Sequence, residues 1–330
     1  MRIITWLFLV ICFYNSNAQF VGTPYIIPID SRPVLDQVGV TPSFAFSTRK
    51  LREGYTGFAV RLRRATDNSQ IDVAFDDNGI VSDNSIVTLA VVGTSGASLG
   101  QTTTMSIYKG ANPLYVTIWY DQGTNGYNGI QNTVAKQAVF TMASAGATNQ
   151  YASLLFAGAS AQNVIVNQNM QTLLGNVTAG MGLRGSICMV AKITANADNF
   201  TFGYDTGSIR WSGHMNWSDG NCYIDLGTST DASRAFANGP RLNLYKNYIY
   251  LRGNNYKTMR ASGTSLLNNG AMSNNAGISG GTFGVGFAVT ANSSIGFSGN
   301  IPEFILYPEP LTVAQYSLME NNQISFWGAN

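Results

Sequence analysis

Short segments in which apolar and polar residues alternate are the feature that most constrains the fold of this chain. They recur along most of the sequence and are separated by turns rich in Gly, Asn, Asp and Ser. Alternation with period two is typical of β-strands that bury one face. Ten or more short strands at this spacing predict an all-β, two-sheet sandwich or jelly roll. The strand candidates are residues 58–64, 71–75, 114–120, 186–193, 200–204, 208–217, 221–226, 248–252, 282–287 and 304–307.

Two short segments are expected to be helical. The first covers residues 43–53 and ends at Gly54, a residue that often terminates helices. The second covers residues 312–323, where Thr312 and Gln315 have the spacing of a capping box. The rest of the chain is expected to be strands and turns.

The N-terminus has the pattern of a secretory signal peptide. Arg2 precedes an apolar run at residues 3–13, and Ser16-Asn17-Ala18 supplies small residues before a cleavage site. A membrane anchor is the alternative, but the run is far shorter than the roughly 20 residues that span a bilayer. We therefore expect removal of residues 1–18, no membrane insertion afterwards, and a secreted, extracellular or cell-surface protein that begins at Gln19.

The mature chain is expected to form one domain over residues 19–330. No internal repeat or Pro-rich linker divides it, and an Ala/Thr/Gln-rich segment at 132–150 is interpreted as a long surface loop. Its two cysteines are Cys188 and Cys222, because Cys12 lies in the signal sequence. An oxidising compartment permits a bridge between them, and two buried free thiols are the alternative.

Charge argues against nucleic acid as a partner. Charged residues make up 11% of the chain and the formal net charge is +2, whereas soluble domains average about 25% charged residues. Such a chain does not build the positive field that attracts polyanions. The sequence indicates no cofactor either, because it contains one His and no metal-binding Cys/His spacing.

The most informative local pattern is a hairpin around Asp219-Gly220. Asp-Gly favours a two-residue type I′ loop, which would place His214 directly opposite Asp225 and Trp217 opposite Cys222. The register sorts the side chains chemically. One face would be apolar: Ile209, Trp211, Met215, Trp217, Cys222, Ile224 and Leu226. The other would be polar: Arg210, Ser212, His214, Asn216, Tyr223 and Asp225.

The polar stripe of this hairpin is the predicted ligand face, with His214 and Asp225 at its centre. Asp225 would orient the imidazole and favour its protonated form, and Arg210, Asn216 and Tyr223 would supply further hydrogen bonds to sugar hydroxyls. The alternative is a solvated outer face. Both Trp211 and Trp217 are assigned to the core rather than to a sugar-stacking platform.

Several stretches carry a resemblance to a known family. They read STRKLR at 47–52, YTG at 55–57, VRLRR at 60–64 and WYDQ at 119–122, with GHM at 213–215 and FSGNI at 297–301 before Glu303. This pattern resembles the catalytic domain of α-L-arabinofuranosidase B, glycoside hydrolase family 54 (GH54), and related concanavalin-A-like, laminin-G-like modules. The resemblance implies a two-sheet jelly roll and, in the family, hydrolysis of arabinofuranosides.

The catalytic residues of that family are not matched here. The family's nucleophilic Glu follows Gly-His-Met, where this chain has Asn216, and no Asp or Glu occurs between Asp231 and Glu303, where the acid/base would lie. The family's adjacent cysteine pair is also missing. If the alignment is displaced by a few residues, Asp219 or Asp225 with Glu303 could supply the two carboxylates that a retaining glycosidase needs.

Two further patterns have a structural and a functional interpretation. Asp121 ends an apolar strand and could bind sugar or Ca²⁺, but an Asp before Gly123 also commonly bonds the backbone of its own turn. Arg61 and Arg63 lie on one strand face, where Asp67 and Asp72 are expected to neutralise them rather than leave an anion site.

These observations favour a secreted jelly-roll protein that binds carbohydrate or acts in adhesion, without hydrolase activity. An active glycoside hydrolase of the α-L-arabinofuranosidase type is the first alternative. A structural component of a fibre or virion surface is the second.

Overall fold

The computed structural model describes most of the chain from Arg32 onward. The predicted signal peptide and cleavage site lie outside the described residues, and the chain from Arg32 forms one compact unit. The described residues are 32–94, 96–146, 150–176, 183–205, 209–228, 235–239, 242–271, 281–289 and 296–329.

The described residues are mostly β-strands with a few short helices, as the alternating pattern predicts. The helices are α1 (Val34–Val38), α2 (Met105–Lys109), α3 (Met170–Leu173) and α4 (Val313–Trp327), with 3₁₀ turns at Val134–Lys136 and Gly158–Ser160. The strands are β1 (Phe44–Ser47), β2 (Val60–Arg64), β3 (Gln70–Val73), β4 (Ile86–Val91), β5 (Thr102–Thr104), β6 (Leu114–Trp119), β7 (Gly129–Ile130), β8 (Val139–Ala145), β9 (Tyr151–Phe156), β10 (Val164–Asn169), β11 (Gly175–Asn176), β12 (Leu183–Ile193), β13 (Phe202–Asp205), β14 (Ile209–His214), β15 (Asn221–Thr228), β16 (Ala235–Asn238), β17 (Tyr245–Arg252), β18 (Tyr256–Ala261), β19 (Thr264–Ala271), β20 (Thr282–Val285) and β21 (Gly299–Tyr307).

Antiparallel pairing arranges these strands in two layers, as in a jelly roll. The front sheet has the order β5-β4-β3-β2-β6-β7-β10-β20-β13-β14-β15-β16. The back sheet has the order β1-β21-β12-β17-β18-β19. Strands β8 and β9 connect the layers at one end, because β8 pairs with β6 and β9 pairs with β21.

The main core lies between the two sheets and is rich in aromatic rings. Phe202 of the front sheet meets Tyr250 and Phe304 of the back sheet, with ring centroids 5.3 and 5.7 Å apart. Trp211 is buried in the same core, which confirms its sequence assignment. Because alternate residues of each strand point to opposite faces, the front sheet presents its other residues on an outer face.

The outer face of the back sheet is covered by α1 and α4. Cys188, Ile249 and Ile305 pack there against residues such as Met319 of α4. The helix begins with the predicted capping box, in which the Gln315 amide donates to the Thr312 hydroxyl and the Thr312 amide donates to the Gln315 side chain. The prediction of a C-terminal helix is therefore confirmed, although it extends to Trp327.

Two local predictions are wrong. Residues 43–53 are not helical, because Phe44 and Phe46 are fully buried in strand β1, which pairs with β21 along the edge of the back sheet. The expected surface loop at 132–150 contains strand β8, whose Phe140 is buried. In both segments, burial and strand pairing override a composition that is weak in β-branched residues.

Cys188 and Cys222, the two cysteines among the described residues, are free and buried, so the possible bridge between them is not formed. Cys188 lies on the outer side of the back sheet and Cys222 lies in the core between the sheets. Among the described residues, no helix is long and apolar enough to cross a membrane.

Candidate functional site

The β14–β15 hairpin keeps the predicted faces within its two strands, but it keeps neither the predicted register nor the predicted loop. His214 lies opposite Tyr223, and Ser212 lies opposite Asp225, so the pairing is shifted by two residues. The loop is longer than a two-residue turn, because Asn216 adopts φ 50° and leaves the strand. A two-residue shift preserves the alternation of faces, and this is why the polar residues of the two strands still share the outer face.

His214 and Asp225 form a hydrogen-bonded pair that is fully buried beneath this outer face. His214 Nε2 lies 2.9 Å from Asp225 Oδ2, and Nδ1 lies 2.5 Å from the backbone oxygen of Asn199. A carbonyl oxygen and a carboxylate both accept hydrogen bonds. The ring is therefore held from both sides, by the Asn199 oxygen and by the Asp225 carboxyl group.

Arg210 balances the charge of this cluster. Its Nη1 lies 3.5 Å from Asp225 Oδ2 and 3.3 Å from Asp205 Oδ2. The Asp205 and Asp225 carboxylates thus meet the Arg210 guanidinium, and the His214 ring bonds to Asp225. A buried pair of charges is tolerated only when it is compensated in this way.

A covering segment, defined as residues 196–201, runs along the hairpin and closes over the pair. The Asn199 side chain donates to the Met215 oxygen at 2.6 Å and accepts from the Met215 amide at 3.0 Å. The Ala197 amide donates to the Asn216 oxygen at 3.1 Å, and the Thr201 amide donates to the Gly213 oxygen at 2.8 Å. These bonds hold the covering segment above His214, where it excludes solvent.

Three half-buried aromatic rings surround the pair at the surface and define an aromatic rim: Phe200, Trp217 and Tyr223. The ring centroids of Phe200 and Trp217 lie 4.8 and 5.1 Å from that of His214, both edge to face. Tyr223 lies 6.3 Å from Trp217. The assignment of Trp217 to the core is wrong, because the left-handed Asn216 reverses the alternation and turns the indole to the polar side.

The remaining hairpin residues serve the loop. Asn216 is buried, donates to Asn196 Oδ1 at 3.2 Å and accepts from the Cys222 thiol at 3.4 Å. Asp219 is exposed and accepts from the Tyr223 hydroxyl at 2.6 Å. The Tyr223 hydrogen bond, followed by that of the Asn221 amide, lowers the pKa of Asp219.

Comparison with known proteins shows the fold of this chain and not its family. No family model and no curated protein matches the sequence. Among solved structures, an arabinofuranosidase complexed with arabinofuranosyl-α-1,2-xylobiose matches with a TM-score of 0.63 at 13% identity. A GH54 α-L-arabinofuranosidase soaked with a cyclic sulfate inhibitor matches with a TM-score of 0.59 at 15% identity.

This chain has the fold of the GH54 arabinofuranosidase structures. The two matches cover 88% of this chain but 64% of the length of the others. The resemblance inferred from the sequence is therefore confirmed at the level of the fold, and the concanavalin-A-like jelly roll is the architecture observed. An identity this low carries nothing about activity.

Within this GH54-like fold, Glu303 does not join the hairpin carboxylates. It points from β21 to the outer side of the back sheet, where Arg49 donates to both of its oxygens at 2.7 and 3.0 Å. Gln323 and Trp327 of α4 donate to it at 2.8 and 3.2 Å, and Ser47 at 2.9 Å. The core lies between this residue and Asp225, so the two cannot act on one bond.

The ionisation of Glu303 follows from these contacts. Burial by itself raises its pKa, but the Arg49 charge and the hydrogen bonds of Arg49, Gln323 and Ser47 outweigh burial and lower the pKa. The carboxylate is therefore a fixed anion that holds α4 to the back sheet.

Asp121 holds the turn after β6, which is the structural interpretation of its motif. Its oxygens accept from the backbone amides of Ala45, Gly123 and Tyr127 at 2.8, 2.7 and 3.0 Å. Burial is the largest effect on its pKa and raises it, against the lowering by these amides. No group of three or more His, Cys, Asp or Glu suited to a metal ion occurs among the described residues, and the Ca²⁺ role of Asp121 gains no support.

Arg61 is paired as predicted, and Arg63 is not. Arg61 donates to both oxygens of Asp72 at 2.7 Å. Asp67 instead binds Arg64, at 2.6 Å, and Arg63 donates to Gln137 and Asn68.

Proposed function

We propose that this protein binds carbohydrate at the aromatic rim of the β14–β15 hairpin and does not hydrolyse it. One observation carries the proposal: three half-buried rings surround a fully buried His214–Asp225 pair on the outer side of the front sheet. Sites for small ligands combine apolar and aromatic walls with a few fixed polar groups. The rim supplies the aromatic walls, and Arg210, which is partly exposed, supplies one of the fixed polar groups.

The charge of the cluster favours a neutral ligand. Arg210 lies 3.3 and 3.5 Å from the Asp205 and Asp225 carboxylates, so these charged groups are engaged with one another. Sugar rings have apolar C–H faces that can lie against an indole, and hydroxyls that can bond to Arg210 and to the Tyr223 phenol. His214 is buried and acts by positioning Trp217 and Phe200 rather than by touching the ligand.

The arrangement of carboxylates supports binding over hydrolysis. A glycosidase needs two carboxyl groups on one side of the scissile bond, about 5–10 Å apart. By the sequence resemblance, Asn216 takes the place of the family's nucleophile. Asp225 is held by His214 and Arg210, and Glu303 lies behind the core. Only Asp219 is an exposed acid of the hairpin.

Trp217→Ala tests the binding site directly. Purified mature protein is titrated with arabinofuranosyl-xylobiose, arabinan, arabinoxylan, xylan, galactan and neutral β-glucan. Removal of the indole should lower affinity about tenfold, which corresponds to about 1.4 kcal/mol. Tyr316→Ala is the matched control, because Tyr316 is a half-buried aromatic residue on α4, across the molecule. Unchanged affinity in Trp217→Ala, or no binding of wild type to any of these glycans, would refute the site.

The hydrolase alternative is tested on the same material. Incubation with aryl arabinofuranosides and with the polysaccharide panel should release no sugar. Turnover that disappears in Asp225→Ala or Asp219→Ala would establish the alternative instead.

We also propose that the protein is secreted. The proposal is supported by the signal-like sequence before Gln19. Mass spectrometry of material from the culture medium should give an N-terminus at or near Gln19. Detection of intact chains that retain Met1 would contradict secretion by this route.

A further inference from the structure

The strand registers place one continuous row of residues across the outer face of the front sheet. Each member lies opposite the next on the neighbouring strand, so all share one face. We call this the transverse row: Asp72, Arg61, Ile118, Ile130, Ile165, Gly284, Gly203, Ser212 and Asp225. Its last two members belong to the hairpin that carries the aromatic rim.

The centre of the transverse row is closed by the chain itself. A Cβ at Gly284 would lie 2.1 Å from the Phe287 oxygen, and the Val289 amide donates to the Gly203 oxygen at 2.9 Å. The row therefore has two separate ends. Six strand spacings lie between β2 and β14, which makes the ends about 29 Å apart at about 4.8 Å per spacing.

The far end combines an ion pair with a phenol. Asp72 accepts two hydrogen bonds from Arg61 and one, at 2.6 Å, from the Tyr120 hydroxyl. Burial, and then the Asp72 hydrogen bond, raises the pKa of Tyr120, so the phenol remains a donor. Arg61 is partly exposed, and its Nη1 group takes no part in these bonds.

Apolar and aromatic groups adjoin this ion pair. Phe58 lies beside Tyr120, with ring centroids 6.1 Å apart and an angle of 48°, and both rings are half-buried. Next to Arg61 in the transverse row follow three isoleucines. Ile118 and Ile165 are half-buried and Ile130 is 37% exposed, although β-branched side chains of this size are normally buried.

We propose that this end of the transverse row is a second saccharide-binding site, formed by Arg61, Asp72, Tyr120, Phe58 and the isoleucines. It rests on the proposed function for the class of ligand, a neutral oligosaccharide, but it uses no residue of the hairpin site. The paired charges leave no net charge, while donors and acceptors lie beside apolar surfaces. These are the two features that the hydroxyl groups and C–H faces of a sugar require.

A glycan fits this strip better than a protein partner does. Stable protein interfaces bury about 800 Å² on each partner and involve about 20–30 residues a side. The apolar strip is one isoleucine wide, and it is interrupted by polar groups such as Gln70 of β3 and Thr117 of β6, which are bonded to each other at 3.1 Å. An extended oligosaccharide is narrow enough to follow it.

Two sites on one face have a measurable consequence. A short oligosaccharide occupies each site separately, whereas a long chain can engage both and gain affinity through effective concentration. Wild type should therefore bind the arabinofuranosyl-xylobiose trisaccharide at two sites per chain. It should bind a soluble polysaccharide of the panel more tightly than the trisaccharide.

The test is calorimetric titration of wild type, Ile130→Ser, Arg61→Gln, Trp217→Ala and the double variant Trp217→Ala/Ile130→Ser. Ile107→Ser is the matched control, because Ile107 is 73% exposed on α2 and lies off the row. Arg184→Gln, which breaks the partly exposed pair with Glu309, is the control for Arg61. Each variant is also melted thermally to confirm that it is folded.

We expect two trisaccharide sites in wild type and in both controls. Each of the single variants Ile130→Ser, Arg61→Gln and Trp217→Ala should keep one site, and the double variant should have none. Polysaccharide affinity should fall at least tenfold in Ile130→Ser. One wild-type site that is lost in Trp217→Ala and kept in Ile130→Ser would refute the second site and leave the proposed function intact. One site with the opposite dependence would refute the rim and support the second site. No binding to any glycan, or self-association abolished by Ile130→Ser, would overturn the proposal.

Discussion

Two buried ion clusters lie on opposite sides of the sandwich, and they are completed in different ways. The Glu303–Arg49 cluster lies between the back sheet and α4, and side chains of the sheet and the helix saturate its carboxylate. The His214–Asp225 cluster lies on the front sheet, and Arg210, a backbone oxygen and half-buried rings complete it.

The difference indicates what each cluster does. A carboxylate whose oxygens are all engaged by neighbouring side chains has no free acceptor for a ligand, and it serves to hold two elements together. An ion pair covered by half-buried aromatic rings supports a surface that solvent and ligands can reach. Loss of the Glu303–Arg49 cluster should therefore mainly lower stability, and loss of the His214–Asp225 cluster should mainly weaken binding. Four experiments test this difference.

Arg49→Ala should have the largest effect on stability. It leaves Glu303 buried and without its cation, which costs about 3–5 kcal/mol in the free energy of unfolding. Urea denaturation measures the change. The matched control is Arg184→Ala, whose partly exposed pair with Glu309 should contribute about 0–1 kcal/mol. A loss in Arg49→Ala as small as in the control would show that the buried pair does not fix α4.

His214→Ala should cost less stability and more binding. Two hydrogen bonds to buried acceptors are lost, which corresponds to about 2–3 kcal/mol, while the sheet remains folded. The aromatic rim loses its support, so affinity for the glycan that wild type binds should fall about tenfold. A folded variant with unchanged affinity would contradict the positioning role of His214.

Acid should weaken the back cluster. The pKa of Glu303 lies below its ordinary value of 4.5 in the folded protein, so the unfolded chain binds a proton first as the pH falls. The stability that Glu303 contributes is therefore present above about pH 4.5 and is lost as the pH drops through the folded pKa. Thermal melting from pH 6 to 3 should show a smaller acid-side decline in Glu303→Gln than in wild type. Equal slopes would argue against the contribution.

Thr312→Ala should have the smallest effect. It removes the side-chain cap of α4 and should cost about 1 kcal/mol in stability. Glycan affinity should not change, because α4 lies on the far side of the core from the aromatic rim. A parallel loss of binding would show that the two regions are coupled.

The sequence predicted the fold well because period-two alternation is a property of each strand on its own. All ten strand candidates overlap observed strands, and the capping box of Thr312 was readable from four residues. The prediction of a helix at residues 43–53 is wrong because the conformation of this segment depends on distant partners. Phe46 pairs with Phe304, which lies 258 residues later in the sequence, and no local pattern contains that contact.

The candidate site was predicted in part for the same reason. The contact between His214 and Asp225 and the shared polar face followed from alternation, which a two-residue shift does not disturb. The position of Trp217 depended on the left-handed backbone of Asn216, and Asn tolerates that conformation without requiring it. The covering segment could not be foreseen, because only its tertiary bonds define it.

Cys188 and Cys222 are two internal probes of local opening. Burial, with smaller contributions from Glu303 and Glu320, raises the pKa of the Cys188 thiol, and burial raises that of Cys222 to about 11. Neither thiol can react with an alkylating reagent until its surroundings open. Cys188 reports opening beneath α4, and Cys222 reports opening beneath the hairpin. The labelling rates of the two thiols in native buffer would therefore measure local opening of the back layer and of the front layer separately, without an engineered probe.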